Sequence, residues 1–218
     1  MSFQFVNLHT HHQNSNENIL SIVNQYPNEF NPKIENYSVG IHPWYIDLAH
    51  VDASLHLIGS KSNEQGFLAI GECGLDKRID QPMHIQMEVF KKQLLLAQTL
   101  NKPVIIHCVG AFQELIALKK ELKLNIPLIV HGFSKSAEQA KQLVETGFYL
   151  SFGKYLVQNS GLKEVFLSVP NDRIFLETDI LDLNILDIYK LAADYKAIDL
   201  VVLQNIIKNN FSTVFKQL

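Results

Sequence analysis

The sequence predicts an α/β protein whose parallel strands close into a barrel of the TIM type, abbreviated in its first third. Three observations predict it. Short β-rich apolar runs recur along the chain, most of them precede a longer stretch of helical periodicity, and polar residues of metal-ligand type stand where the predicted strands end. Several runs are almost continuously apolar, which is typical of strands covered on both faces. A doubly wound open sheet is the alternative architecture.

The strand predictions rest on apolar runs bounded by turn residues. They are Phe3–His9, Tyr37–His42, Phe67–Glu72, Val104–Cys108, Leu128–His131, Phe148–Phe152 and Ile174–Glu177, with Ile19–Val23 as a less regular eighth. Helical periodicity or end signals predict helices over Met83–Thr99, Ser136–Glu145 and Asp199–Phe215. Strands and helices therefore alternate along nearly the whole chain.

The abbreviation is predicted between His11 and Tyr37. Residues 12 to 36 include Pro27, Pro32 and several asparagines, and they are too few for a full strand-helix-strand unit with its loops. We therefore expect one early helix to be missing or reduced.

Composition limits the class of protein. The 218 residues are 47% hydrophobic and carry a formal net charge of -3, so the chain can bury one sizeable core and has no overall basic field for a polyanion. The length of the chain predicts a single domain over residues 1–218. The absence of an apparent signal peptide and of a membrane-spanning run predicts a cytoplasmic protein without membrane contact. Cys73 and Cys108 lie inside apolar segments, which predicts buried, reduced thiols.

Residues that bind metals follow one predicted strand after another. His9 and His11 end the first strand, and the two-residue period of a strand directs both side chains to the same side. Glu72 follows an apolar run, where burying an unpaired carboxylate would cost several kcal/mol. The carboxyl ends of barrel strands meet at one end of the barrel, so these residues predict a site for one or two divalent ions: zinc, manganese, magnesium, nickel or iron. The predicted ligands are His9, His11, Glu72, His107, His131 and Asp179.

Seven short motifs resemble those of TatD-type deoxyribonucleases and hydrolases of the amidohydrolase superfamily, in the same order along the chain. They are Asn7-Leu8-His9-Thr10-His11, Gly40-Ile41-His42-Pro43, Ala69-Ile70-Gly71-Glu72-Cys73-Gly74-Leu75-Asp76, Val104-Ile105-Ile106-His107, His131-Gly132-Phe133-Ser134, Leu176-Glu177-Thr178-Asp179 and Asn210-Phe211. The resemblance implies that His9, His11 and Asp179 bind one metal, that His107 and His131 bind a second, and that Glu72 bridges the two. It also implies hydrolysis of phosphodiester bonds, with DNA as the substrate.

The catalytic hypothesis assigns Asp179 as the general base that takes or steers the proton of the attacking water, and Glu72 as the group that fixes the ions. Four further residues are predicted in strand-end loops as substrate-binding groups: His42, Asp76, Arg78 and Lys154. Arg78 and Lys154 are the cations that could hold a phosphate or carboxylate.

The sequence also departs from the family's pattern. Asn7 stands where the first motif usually begins with Asp, and Val109 stands where the family commonly has Arg two residues after the fourth-strand histidine. A neutral amide accepts more weakly from an imidazole, and the loss of Arg removes one anion contact.

Two other functions remain open at this stage. The same residues would serve an enzyme of the amidohydrolase type that acts on a small amide, lactone or phosphoester, or a non-catalytic metal-binding barrel. The sequence does not specify the metal, the substrate or the oligomeric state.

Overall fold

The computed structural model describes residues 3–215, which form eight strands and eight α-helices. The strands are β1 (Phe5–Thr10), β2 (Ile19–Gln25), β3 (Tyr37–Val39), β4 (Phe67–Asp76), β5 (Val104–Val109), β6 (Leu128–Val130), β7 (Phe148–Phe152) and β8 (Ile174–Leu176). The helices are α1 (Val51–Ser60), α2 (Met83–Leu100), α3 (Phe112–Glu121), α4 (Ala137–Glu145), α5 (Lys154–Gln158), α6 (Leu162–Ser168), α7 (Ile185–Lys196) and α8 (Leu200–Phe215). None of these helices has the length and apolar character needed to cross a membrane.

The sheet confirms the predicted barrel. Its strand order follows the chain from β1 to β8, and the assigned pairs β1–β2, β3–β4, β4–β5 and β7–β8 are parallel. Thr10, which ends β1, bridges Asp179 beyond β8, and the Asp179 N–H donates to the His9 carbonyl at 3.0 Å. The first and last strands are therefore joined, which excludes the open doubly wound sheet.

The first third is abbreviated as predicted. Between His11 and Tyr37 the described chain holds β2 and a single 3-10 turn, Pro27–Glu29, with no α-helix. Pro27 opens this turn because its fixed φ and missing N–H suit the first position of a helical turn.

Several predicted strand boundaries were wrong. Glu72 is not at a strand end, because β4 continues as buried residues to Asp76 and pairs there with β5, Gly74 opposite His107. Conversely, β3 ends at Val39, so His42 lies outside it and caps the 3-10 turn Pro43–Tyr45. Only β7 has its predicted limits among the described strands.

The described residues divide into two compact units, and the prediction of one domain stays a prediction. The first unit comprises residues 3–23 and 129–215. Its core includes the buried phenol of Tyr189, which accepts a hydrogen bond from the Val6 N–H at 3.0 Å and donates to the Val6 carbonyl at 3.1 Å. The Asn210 amide donates to the carbonyls of Asn171 and Ile174, both at 2.8 Å. These bonds connect α7 to β1, and α8 to β8 and the 3-10 turn that precedes it, because buried polar groups need hydrogen-bond partners.

The second unit is Asn24–Leu128 and contains β3, β4 and β5 with α1, α2 and α3. Gln93 of α2 accepts from the Ile41 N–H at 2.7 Å and donates to the Ile41 carbonyl at 3.1 Å. This buried pair fixes the loop that leads to His42. Gly74 permits the close pairing of β4 with β5, because a Cβ there would lie 2.0 Å from the His107 carbonyl oxygen.

Candidate metal-binding clusters

The first cluster lies within the first unit and consists of His9, His11, His131 and Asp179. Asp179 Oδ1 lies 3.7 Å from His9 Nε2 and 3.6 Å from His11 Nε2. The His9 ring is fully buried and its centroid is 4.4 Å from that of His131. One ligand atom each from His9, His131 and Asp179 can be chosen so that all three lie within 4.8 Å of one another. The structure therefore brings four of the six predicted ligands together in this unit.

Asp179 owes its position to the backbone that follows β8. Its φ of 55° lies in the left-handed region, which Asp and Asn tolerate better than other side chains. The preceding residue, Thr178, is fixed by Asn7, which accepts from the Thr178 N–H and donates to its hydroxyl, both at 2.9 Å. Asn7 thus positions Thr178 through one accepted and one donated hydrogen bond, and an Asp at this position would lack the amide donor.

Glu177 is a buried carboxylate beside the first cluster to which the sequence analysis gave no role. Its Oε1 accepts from the Gly132 N–H at 2.7 Å and lies 3.4 Å from His131 Nδ1. Burial acts to raise the pKa of Glu177, but the close approach of His131, with a smaller contribution from His9, holds the pKa below its usual value. Such a carboxylate favours the His131 tautomer that carries its proton on Nδ1, which makes Nε2 the metal-binding atom.

We expect Glu177→Gln to lower the zinc affinity of the first cluster by roughly 10- to 100-fold. The amide preserves the side-chain volume but removes the negative charge that orients His131. Calorimetric titration of the metal-stripped protein with zinc measures the effect, with Glu164→Gln, an exposed change in α6 of the same unit, as the control. Equal affinities in Glu177→Gln and the control would mean that Glu177 does not orient a ligand.

The second cluster lies within the second unit and consists of His42, Glu72, Asp76 and His107. Glu72 Oε1 is 3.2 Å from His42 Nε2 and 2.9 Å from His107 Nδ1. The other ring nitrogen of His107, Nε2, lies 3.1 Å from Asp76 Oδ2. His107 is thus held between two carboxylates, and Glu72 between two imidazoles. His42 was predicted to bind substrate, and that stays a prediction; its ring can also offer a ligand atom to a metal ion together with Glu72 and His107.

Asp76 organises the outer part of the second cluster. Its carboxylate accepts from the Arg78 side chain at 3.1 and 3.2 Å, from the Arg78 N–H at 2.9 Å, and from the Trp44 indole N–H at 3.0 Å. Burial acts to raise the pKa of Asp76, but the hydrogen bonds from Arg78, Trp44 and His107 outweigh it and hold the pKa well below its usual value. Asp76 therefore remains ionised and its contact with His107 is charge-assisted.

The donor chemistry of both clusters fits a divalent transition metal. Each contains two imidazoles and a carboxylate whose ligand atoms lie within 4.8 Å of one another: His9, His131 and Asp179 in the first, and His42, Glu72 and His107 in the second. Mixed nitrogen and oxygen donors suit zinc, manganese, nickel or iron, whereas magnesium prefers oxygen donors.

Lys154 and Arg78, the two cations predicted to bind substrate, have different surroundings. Lys154 opens α5, separated from β7 by one residue, and its ammonium nitrogen lies 5.6 Å from the centroid of the neighbouring Tyr155 ring. Arg78 is anchored on Asp76 with 62% of its side chain exposed. Cys73 and Cys108 are buried thiols, as predicted, and burial with the adjacent Glu72 charge raises the pKa of Cys73.

Comparison with known proteins assigns the family. The model of the TatD related DNase family matches residues 2–216. This chain belongs to the TatD family. YjjV, a TatD homologue from Escherichia coli K12, has a structure that superposes with a TM-score of 0.84 at 21% identity, covering 99% of both chains. A TatD family hydrolase from Entamoeba histolytica superposes with a TM-score of 0.82 at 20% identity and full coverage of both chains.

Two curated proteins are also similar to this chain in sequence. YabD of Bacillus subtilis, an uncharacterized metal-dependent hydrolase, is 40% identical over 147 residues, which are 65% of this chain and 57% of YabD. An uncharacterized metal-dependent hydrolase of Haemophilus influenzae is 31% identical over 156 residues, 67% of this chain and 59% of that protein. The match spans less than two thirds of the length of these curated relatives.

Proposed function

We propose that this chain is a divalent-metal-dependent hydrolase that cleaves phosphodiester bonds in DNA. The observation that carries the proposal is the presence of two imidazole–carboxylate clusters in a chain of the TatD related DNase family. The metal ligands proposed for the reaction are the six predicted from the sequence, with His42 added to the second cluster. The TatD assignment supports metal-dependent hydrolysis, and DNA is suggested by the description of the family.

The residues have distinct roles in this proposal. His9, His11, His131 and Asp179 hold metal in the first cluster, and His42, Glu72 and His107 hold it in the second. A divalent ion held by these residues would lower the pKa of a water and would stabilise the charge that develops on the phosphate. Asp179 would take the proton of the attacking water as the oxygen of that water bonds to phosphorus. The bond from phosphorus to the leaving sugar oxygen would then break, and a second water would supply the proton that this oxygen takes up.

Two buried carboxylates contact the imidazoles. Glu177 lies 3.4 Å from His131 Nδ1, and Asp76 lies 3.1 Å from His107 Nε2 in the second unit, so each carboxylate helps to orient one ring. Glu72 keeps its place because its own N–H donates to the Asn24 side-chain oxygen at 2.7 Å. The ligands are therefore oriented before a metal binds, which reduces the reorganisation that binding requires.

The proposal is tested with a substrate panel under saturating manganese, zinc or magnesium. We expect metal-dependent cleavage of single-stranded or duplex DNA oligonucleotides, and we expect none from Glu72→Ala purified in parallel. Turnover of an amide, a lactone or a small phosphoester with inert oligonucleotides would replace the nuclease assignment by another amidohydrolase reaction. Cleavage that survives in Glu72→Ala would identify a contaminating nuclease.

A further inference from the structure

An exposed aromatic surface adjoins the second cluster. Trp44 and Tyr45, in the 3-10 turn after His42, leave 53% and 56% of their surface accessible. The Tyr45 ring packs against Tyr26 with centroids 5.1 Å apart and against His42 at 5.6 Å. Aromatic rings that are exposed yet held in place are the usual stacking surfaces for nucleobases.

Trp44 is held by the second cluster itself. Its indole N–H donates to Asp76, which is fully buried, and its ring lies 5.1 Å from the His42 ring and 6.1 Å from the His107 ring. The hydrogen bond and the two edge contacts restrict both side-chain torsions. An aromatic ring with few remaining rotamers loses little conformational entropy when a ligand stacks on it.

Arg78 shares the same anchor. Its Nε and Nη2 atoms lie 3.2 and 3.1 Å from the two Asp76 oxygens, and its side chain remains 62% exposed. Asp76 thus places a planar ring and a guanidinium side by side. A guanidinium binds phosphate well because its planar donors match phosphate oxygens.

We propose that Trp44 and Arg78, both anchored by Asp76, form a nucleotide-binding platform: a base stacks on Trp44 and its phosphate contacts Arg78. The inference rests on the proposed function and adds the residues that recognise the nucleotide. A ring site beside an anion site matches a nucleotide, in which one sugar joins base and phosphate. A small amide or lactone has neither a base to stack on the ring nor a phosphate to contact the guanidinium.

The charge of the platform adds a quantitative expectation. Arg78 is the single cation of the platform, so one phosphate contact is expected. Asp76 offsets part of the charge of Arg78, so stacking should supply most of the affinity. For single strands, one phosphate contact corresponds to a slope of about -0.7 in a plot of log affinity against log salt concentration. We expect Arg78→Gln to remove a slope of about this size.

The fluorescence of Trp44 can be used to measure binding, because Trp44 is the single tryptophan of the sequence. Its fluorescence is titrated in the full chain with a cleavage-resistant phosphorothioate oligothymidylate, and with an abasic strand of equal length and charge. We expect saturable quenching by the first and little by the second. Equal responses, or none, would overturn the platform. Quenching without cleavage of ordinary DNA would contradict the proposed function and leave the platform intact.

Substitutions separate stacking from the hydrogen bond to Asp76. Trp44→Ala is expected to weaken binding of a labelled oligothymidylate by roughly 5- to 100-fold, measured by fluorescence anisotropy. Trp44→Phe keeps an aromatic face without the N–H donor and should restore most of the affinity. Leu48→Ala, at a side chain 60% exposed in the same unit, should bind as the wild type does. Equal losses in Trp44→Phe and Trp44→Ala would show that the ring does not stack, and would overturn the proposal.

Discussion

Replacing Asp179 by asparagine is expected to lower kcat for metal-dependent hydrolysis by roughly 100- to 10,000-fold, because a neutral amide cannot accept the proton of the attacking water. The change is structurally conservative. Asparagine tolerates the positive φ of 55° at this position, and the backbone bonds between residue 179 and His9 and His11 do not involve the side chain. Steady-state kinetics under saturating metal measure the effect.

The control for this change is Asp172→Asn, an aspartate of the same unit whose side chain is 73% exposed. We expect its kcat to equal that of the wild type. Metal content is measured on each variant, because Asp179 also contributes a ligand atom to the first cluster. If Asp179→Asn retains both its metal and full turnover, the assignment of Asp179 as the general base is wrong.

Replacing Glu72 by glutamine is expected to reduce strongly the stability that the protein gains when metal is added. Glu72 is the carboxylate that contacts both His42 and His107, so its replacement by a neutral amide removes the only anionic candidate ligand that these two imidazoles share among the described residues. An ion present at 100 times its Kd stabilises the folded state by about 2.7 kcal/mol. For a chain of this size that corresponds to a rise in Tm of roughly 5 to 10 °C.

Calorimetric melting with and without zinc measures this contribution. We expect the wild type and Glu88→Gln, an exposed change in the same unit, to gain stability on adding zinc. Glu72→Gln should gain only the part contributed by the first cluster. An equal gain in Glu72→Gln and Glu88→Gln would show that Glu72 does not hold the ion.

Much of the fold was predictable because the barrel strands are buried on both faces and are therefore continuously apolar. The run Phe148–Phe152 has its predicted limits since Gly147 and Gly153 flank it. The end of β4 was wrong because the pairing of Gly74 with His107 depends on a partner strand that is remote in sequence. Local sequence patterns predict which residues are buried, but they do not predict the register in which two strands pair.

The candidate sites were predictable where one strand carries the signal, as with His9 and His11. Glu177 lies two residues before Asp179, a spacing that places both on one side of an extended chain, and this was the available signal for its role. The position of His42 beside Glu72 and the bond from Trp44 to Asp76 join residues about 30 positions apart. Such contacts follow from tertiary packing and leave no local pattern.

If the two clusters hold divalent metal for hydrolysis, elemental analysis of the protein purified without chelator will detect that metal. We predict about one or two equivalents of a divalent transition metal per chain in the wild type, consistent with open sites of three or four protein ligands. Removing that metal should abolish hydrolysis, and adding it back should restore hydrolysis. A metal content near zero, unchanged after incubation with zinc or manganese, would show that the two clusters do not hold metal.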